Sequence, residues 1–125
     1  MPETFILVTG GRDYDDADEV KARLEGRDDP VGDITLVVGD ASGADALARW
    51  HAPSHWTQMR FQADWAKHGR AAGPIRNQEM VDFVAKKVSK GHHGLVEAFP
   101  GGRGTKDCAR RALKAGLPVF YKAGS

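Results

Sequence analysis

The stretch that indicates the fold most clearly is Ala98-Phe99-Pro100-Gly101-Gly102-Arg103-Gly104-Thr105. The apolar run from Gly94 to Phe99 predicts a strand, and a helical pattern begins directly at Thr105. Three of the four residues 101–104 are glycine, which permits positive φ angles and a close approach of the backbone to a ligand. The first N–H groups of a helix lack intrahelical partners and carry positive potential. A phosphate-binding turn is therefore predicted; the alternative is a tight turn whose glycines serve chain reversal only.

The same succession of strand, turn and helix extends along the rest of the chain. The apolar runs are continuous rather than alternating, which indicates parallel strands covered on both faces by crossover helices. We expect a Rossmann-like, doubly wound α/β fold of about five parallel strands in the order 3-2-1-4-5. The predicted strands are 5–9, 34–38, 58–62, 94–99 and 117–121; helices begin after Asp15 or Asp16, near Ala44, at Pro74 and at Thr105, and 63–73 is a loop.

Length, charge and composition limit the classes of protein to consider. The 125 residues predict one domain, residues 1–125. A net charge of +1, from 18 basic and 17 acidic residues, disfavours duplex nucleic acid as a partner but leaves single strands open. One cysteine, Cys108, excludes a disulfide framework and is expected to pack in the core. No signal segment or apolar run of membrane-spanning length is evident, so we expect a cytoplasmic protein without a membrane partner.

The glycine-rich turns are expected to share one crevice. Ligands of open α/β sheets bind beyond the carboxyl ends of the strands, where the strand order reverses, here between strands one and four. The turn after strand two lies beside them. The predicted ligand- and phosphate-binding residues in these turns are Gly10, Gly11 and Arg12; Gly39, Asp40, Ala41, Gly43 and Asp45; and Gly101, Gly102, Arg103, Gly104 and Thr105.

Four ordered motifs carry a family resemblance. They are Gly10-Gly11-Arg12-Asp13-Tyr14, the 39–45 turn, the segment from Ala63-Asp64-Trp65 to Gly73-Pro74-Ile75-Arg76-Asn77-Gln78-Glu79-Met80, and the Pro-Gly-Gly-Arg-Gly-Thr turn. Together they resemble the YspA-type, YpsA-related branch of the SLOG superfamily, a Rossmann-like group that includes Lonely Guy proteins and DprA. The resemblance spans nearly the whole chain. It implies a nucleotide or nucleotide-derived ligand in a sensor or effector, and, through Lonely Guy relatives, a homodimer.

The resemblance to Lonely Guy proteins also implies an activity. Those proteins cleave the N-glycosidic bond of nucleoside monophosphates with an arginine and a glutamate. Arg76, followed by Asn77 as a further ligand-binding residue, falls at the arginine position, and Asp107 replaces the glutamate with a side chain one methylene shorter. A carboxylate stabilises oxocarbenium charge and a guanidinium clamps phosphate, so both residue types suit this chemistry. The alternatives are that Asp107 complements the helix dipole and that Arg76 pairs with Glu79 on the surface.

Each of the remaining polar and aromatic candidate site residues has two interpretations. Arg12 and Arg103 bind phosphate or are solvated, Asp45 bonds a ribose hydroxyl or complements a helix dipole, and Trp65 stacks on a base or covers the core edge. His51 and His55 have a helical spacing, but Pro53 interrupts it, so no metal and no cofactor is predicted. Three functions follow: a nucleotide-binding module, a nucleoside-monophosphate N-glycosidase, and a single-strand nucleic-acid binder, against which the lack of an aromatic and basic platform counts.

Overall fold

The computed structural model describes residues 2–121, and these residues form one sheet of parallel strands. The strand order is β3-β2-β1-β4-β5, which confirms the predicted 3-2-1-4-5 order and the doubly wound α/β class. All four strand pairings are parallel. The last strand is shorter than predicted. The strands are β1 (Thr4–Thr9), β2 (Ile34–Gly39), β3 (Thr57–Phe61), β4 (His93–Ala98) and β5 (Val119–Phe120).

The helices begin earlier than the sequence predicts at two places. The predicted loop 63–73 contains a short helix, a 3-10 turn at Gly69–Ala71 and the first residues of the long helix, in which Pro74 is the third residue rather than the first. The last helix begins at Arg103 instead of Thr105, since Gly102 with φ −94° and ψ −142° already serves as its N-cap. The helices are α1 (Ala17–Glu25), α2 (Ala44–His51), α3 (Trp65–His68), α4 (Ala72–Ser89) and α5 (Arg103–Lys114).

The core lies on both faces of the sheet. Alternate residues of β1 point to opposite sides, so Ile6 and Val8 pack in one cluster with α1 and α2, whereas Phe5 and Leu7 pack in the other with α4 and α5. Cys108 belongs to the second cluster, as predicted, and burial raises the pKa of its thiol to about 11. Of the helices formed by residues 2–121, none is both long and apolar enough to traverse a bilayer.

One charged residue lies inside the apolar run that predicted β4. Glu97 is 1% exposed, and its carboxylate accepts hydrogen bonds from Arg23 at 2.9 and 2.7 Å and from Arg27 at 2.6 Å. Arg23 also donates to the Phe120 carbonyl at 2.8 Å, so the network connects α1 with β4 and β5. Because the carboxylate has two cationic partners, its burial does not leave an uncompensated charge.

Candidate functional site

Three turns meet at the carboxyl ends of β1, β2 and β4, and Gly11 joins them. Its N–H donates to the Pro100 carbonyl at 2.8 Å, and its carbonyl accepts from the N–H of Ala44 at 3.0 Å. The turn after β1 is thereby bonded both to the turn before α5 and to the start of α2. Beside it, the Ser42 hydroxyl donates to the Arg12 carbonyl at 3.1 Å. The turns that the sequence placed around one crevice are in contact.

Crowding explains most of the glycines in these turns. A Cβ on Gly101 would lie 2.6 Å from the Gly11 nitrogen, and one on Gly10 would lie 2.9 Å from the Phe99 Cβ. The positive φ angles that glycine permits are not used in the 101–104 turn: among the glycines of the three turns in the described chain, only Gly43 has one, at +71°. Gly43 also faces the carbonyl groups of Gly11 and Arg12. These glycines permit turns to approach one another.

Gly102 and Gly104 differ from the other glycines of the turns. A Cβ on either would meet no heavy atom within 4 Å, and neither residue has a positive φ. Both border an open cavity at the start of α5. The first intrahelical bond there runs from the Lys106 N–H to the Gly102 carbonyl at 3.1 Å, so the N–H groups of residues 103–105 precede it. Protein packing alone does not require glycine at these two positions.

The cavity has a volume of about 490 Å³ and lies at the switch between β1 and β4. Gly39, Gly43 and Gly101 do not line it, and Asp40 lines a smaller adjoining cavity of about 210 Å³ instead. Sequence reasoning missed four lining residues: Thr9, Gly73, Pro74 and Met80. The predicted residues that do line it are Gly10, Gly11, Arg12, Ala41, Asp45, Arg76, Asn77, Gly102, Arg103, Gly104, Thr105 and Asp107.

Arg76 is buried at the base of the cavity, which excludes the surface pairing with Glu79. It is 8% exposed, donates to Asp40 at 3.0 Å and contacts the Asn77 side-chain oxygen at 3.2 Å. Because α4 begins at Ala72, Arg76 lies in its second turn rather than its first, and its guanidinium reaches the end of β2. Gly39 allows this approach, since a Cβ there would lie 2.6 Å from both the Arg76 guanidinium and the Asp45 carboxylate.

Asp45 occupies the first turn of α2 with only 6% of its surface exposed. Its carboxylate accepts a hydrogen bond from the Ala41 N–H at 3.3 Å. Burial raises the pKa of Asp45 to about 6, although the nearby charge of Arg76 and the Ala41 hydrogen bond act in the opposite direction. A carboxyl whose pKa is raised by burial beside a cavity is a feature that functional sites often show.

Asp107 has a different environment on the α5 side of the same cavity. Arg110 and Arg111 donate to it at 2.8 and 2.9 Å, and Asn77 donates at 3.2 Å. Partial burial would raise its pKa, but these hydrogen bonds outweigh burial and hold the pKa below its ordinary value. Arg76, the other residue of the implied activity, pairs with Asp40 rather than with this carboxylate, whose ionised form is stabilised by Arg111, Asn77 and Arg110.

The candidate tryptophan lies at the turns, whereas His55 lies before β3, at the opposite end of the sheet. Trp65 belongs to α3, is 46% exposed and lines the cavity, so it does not cover the core edge. The Arg12 guanidinium lies over its ring, 5.3 Å from the centroid. His55 pairs with Asp28 at 2.8 Å. Within residues 2–121 no group of three or more His, Cys, Asp or Glu side chains is arranged to hold a metal ion.

Supporting residues around the site were also missed. Arg49 donates to the Gly39 and Ala41 carbonyls at 2.7 and 3.3 Å, and so holds the turn after β2. The sequence feature that could have identified Arg49 is its position four residues after Asp45, one helical turn away on the same face of α2. The spacing of Arg110 and Arg111, three and four residues after Asp107, likewise predicts the ion pairs that form.

The chain is similar to known proteins in sequence and in fold. Residues 4–68 match the model of the YspA, cpYpsA-related SLOG family. The Gene 61 protein of Mycobacterium phage D29 is 38% identical, over 92% of this chain and 93% of that protein. The X-ray structure of DNA processing protein A (DprA) from Streptococcus pneumoniae matches 98% of this chain with a TM-score of 0.56 and 15% identity. The chain spans 59% of that DprA chain, and the likeness concerns the fold.

Proposed function

Because the chain belongs to the YspA, cpYpsA-related SLOG family, we propose that it binds a nucleotide or nucleotide-derived ligand in the 490 Å³ cavity. Family membership suggests a nucleotide-related binding or processing module. The finer proposal is that the phosphate lies at the start of α5, against the backbone of residues 102–105, with Arg12 and Arg103 beside it. The protein then acts as a sensor or effector that responds to this ligand.

The observation that carries the proposal is the open space beside Gly102 and Gly104. Glycine within a helical turn costs about 1 kcal/mol relative to alanine, and Gly104 bears this cost without a packing reason. A ligand that approaches the backbone closely supplies the reason. The N–H groups that precede the first intrahelical bond point toward such an anion, and the helix dipole favours it.

Size and charge of the cavity agree with a ligand of this class. Pockets for small ligands usually enclose about 300–1,000 Å³, and this cavity lies within that range. Arg12, Arg76 and Arg103 supply positive charge along its wall. Asp45 and Asp107 supply carboxylates that can accept hydrogen bonds from ribose hydroxyls. A phosphorylated nucleoside presents both kinds of group.

The direct test introduces a side chain into the open space. Gly102→Val is expected to fold with a local backbone adjustment, because its Cβ meets no neighbour, whereas its ψ of −142° lies outside the β and α regions that valine prefers. A nucleoside monophosphate at 100 times its dissociation constant should stabilise the wild type by about 2.7 kcal/mol, and Gly102→Val should abolish this thermal shift. Ala115→Val, at the exposed opposite end of α5, is the matched control and should retain it. Equal shifts in all three proteins would contradict the phosphate position.

A second candidate function is hydrolysis of the N-glycosidic bond of nucleoside monophosphates. It is favoured by the two carboxyl groups of opposite pKa shift on one cavity, an arrangement that suits paired acid and carboxylate roles. In this reaction water adds to the anomeric carbon, the bond to the base breaks and the base leaves with a proton. Asp107 would stabilise the developing ribose charge, and Arg76 would orient the substrate.

Release of free base from a panel of nucleoside monophosphates tests the hydrolase. Asp107→Asn should lose most turnover and retain much of the affinity, since phosphate contacts lie elsewhere. Arg76→Ala should weaken both the turnover and the affinity for the nucleotide. Asp107→Glu restores the longer side chain of the Lonely Guy pattern and should raise any activity, because catalysis depends on sub-ångström placement. If neither the wild type nor Asp107→Glu releases base from any substrate, the hydrolase candidate is rejected and the binding proposal is untouched.

A further inference from the structure

We propose that the indole of Trp65 is the stacking surface for the aromatic base of the ligand, so that the site selects nucleotides over sugar phosphates. This inference rests on the proposed nucleotide-binding function and assigns the part of the ligand that the glycine turns do not recognise. The phosphate-binding turn by itself would accept any phosphorylated sugar, since backbone N–H groups do not recognise a base.

The position of Trp65 supports a role in binding. A tryptophan exposes a large apolar surface at a cost, yet this ring is 46% exposed and stands at the cavity wall rather than in either core cluster. The short helix α3 that carries it is capped by Asp64, whose carboxylate accepts from the Lys67 N–H at 3.0 Å. Gly73 lies close to the ring, because a Cβ there would be at van der Waals distance, 3.4 Å, from its Cη2 atom. The exposed ring is thus carried by a capped helix and lies beside the first turn of α4.

The contact with Arg12 shows that a planar group fits against the indole. The Arg12 guanidinium lies 5.3 Å from the ring centroid, within the range of a cation–π contact. Arg12 and Trp65 both line the main cavity and the adjoining 210 Å³ cavity. A base is another planar π-system, and stacking on aromatic side chains is tolerant of base identity.

The phosphate and base positions belong to one continuous site. Gly102 and Gly104 line the same cavity as Trp65, so one ligand can contact the start of α5 with its phosphate and the indole with its base. The ribose between them then lies near the carboxyl groups of that cavity. This arrangement predicts a ligand that contains a nucleobase, a sugar and at least one phosphate.

The experiment compares AMP with ribose 5-phosphate by calorimetry on four proteins: wild type, Trp65→Phe, Trp65→Leu and Trp50→Ala. Replacing a stacking aromatic residue by alanine typically lowers affinity by roughly 5- to 150-fold, so Trp65→Leu should weaken AMP binding at least fivefold. Ribose 5-phosphate should bind equally to wild type and Trp65→Leu. Trp65→Phe should retain most AMP affinity because it keeps a π-face. Trp50 is 83% exposed and outside the cavity, so Trp50→Ala is the matched control and should change neither ligand.

The outcomes separate this inference from the proposed function. If Trp65→Leu weakens AMP and ribose 5-phosphate to the same extent, or if Trp65→Phe loses as much AMP affinity as Trp65→Leu, stacking is refuted and phosphate binding stands. If AMP binds all four proteins alike, stacking is refuted as well. If the wild type binds neither AMP nor any other nucleotide of a panel, the proposed function fails and this inference fails with it.

Discussion

The two carboxyl groups that line the cavity, Asp45 on the α2 side and Asp107 on the α5 side, are held in opposite ways. Asp45 is almost fully buried with one backbone donor at 3.3 Å, and its pKa is raised to about 6. Asp107 receives side-chain donors from Asn77, Arg110 and Arg111, and its pKa is lowered. Identical side chains, each near the start of a helix, thus differ because of their tertiary neighbours. Ionisation of Asp45 is therefore unfavourable in the folded protein, whereas ionisation of Asp107 is favourable.

Arg76→Ala tests the buried side most severely. The guanidinium is the charge that acts most strongly to lower the pKa of Asp45, and it also pairs with Asp40. Removing one partner of a buried ion pair costs about 3–5 kcal/mol, and because the Asp40 side chain is 38% exposed, urea unfolding at pH 8 should show a loss at the lower end of this range. The loss should shrink near pH 5, where Asp45 takes up its proton. A loss below 1 kcal/mol at both pH values would contradict the idea that Arg76 supports a buried charge.

Asp45→Asn should stabilise the protein at high pH. A carboxyl with a higher pKa in the folded state favours folding below its unfolded value of about 3.8, and this contribution is lost as pH rises through about 6. The shift of about two pKa units corresponds to roughly 3 kcal/mol, which the ionised group costs at pH 8. Urea unfolding should therefore show Asp45→Asn more stable than wild type by up to about 3 kcal/mol at pH 8, and the two should converge at about pH 3, below the unfolded pKa. If Asp45→Asn is less stable than the wild type at pH 8, the ionised Asp45 carboxylate stabilises the fold, and the contrast with Asp107 is wrong.

Asp107→Asn should have the smallest effect and the opposite sign. A carboxyl with a lowered pKa stabilises the folded state above its unfolded pKa, and the contribution disappears as pH falls through the folded value. Arg110 is largely exposed, so solvent screening limits the loss at pH 7 to about 1 kcal/mol or less. Thermal unfolding at pH 7 and in acid checks this, and Arg110→Gln, which removes only the exposed partner, is the control. A stabilised Asp107→Asn at pH 7 would show that both carboxylates are strained.

The strand order was predictable because apolar runs, glycine turns and helix starts are local signals that a parallel sheet restricts to few topologies. The pairing of Arg76 was not. It depends on the turn of α4 in which the residue lies, and the helix begins two residues before Pro74, which the sequence indicated as the first position. The carboxylate that the guanidinium meets is set by the packing of α4 against the sheet, which no local sequence pattern encodes.

The glycines show a second limit. Their density predicted a special turn, but not whether backbone conformation, crowding or a ligand required each one. The need for glycine at position 101 is explained by its closeness to Gly11, whereas Gly102 faces open space. The residue type is the same at both positions, so the sequence does not distinguish them. Glu97 had a partial signal, since a charge within an apolar strand implies a buried partner. The identity of that partner, Arg23 at a separation of 74 residues, is a property of the assembled fold.

The backbone of Gly11 has a consequence for motion. Its N–H is bonded to the Pro100 carbonyl and its carbonyl to the Ala44 N–H, so one residue links the turn before α5 to the start of α2, and a displacement of Gly11 disturbs both hydrogen bonds. The amide hydrogens of Gly11 and Ala44 should therefore exchange with solvent in one cooperative event rather than independently. A molecule that stabilises any one of the three turns slows the opening of all of them, which gives a ligand in the cavity a means of rigidifying one whole edge of the sheet.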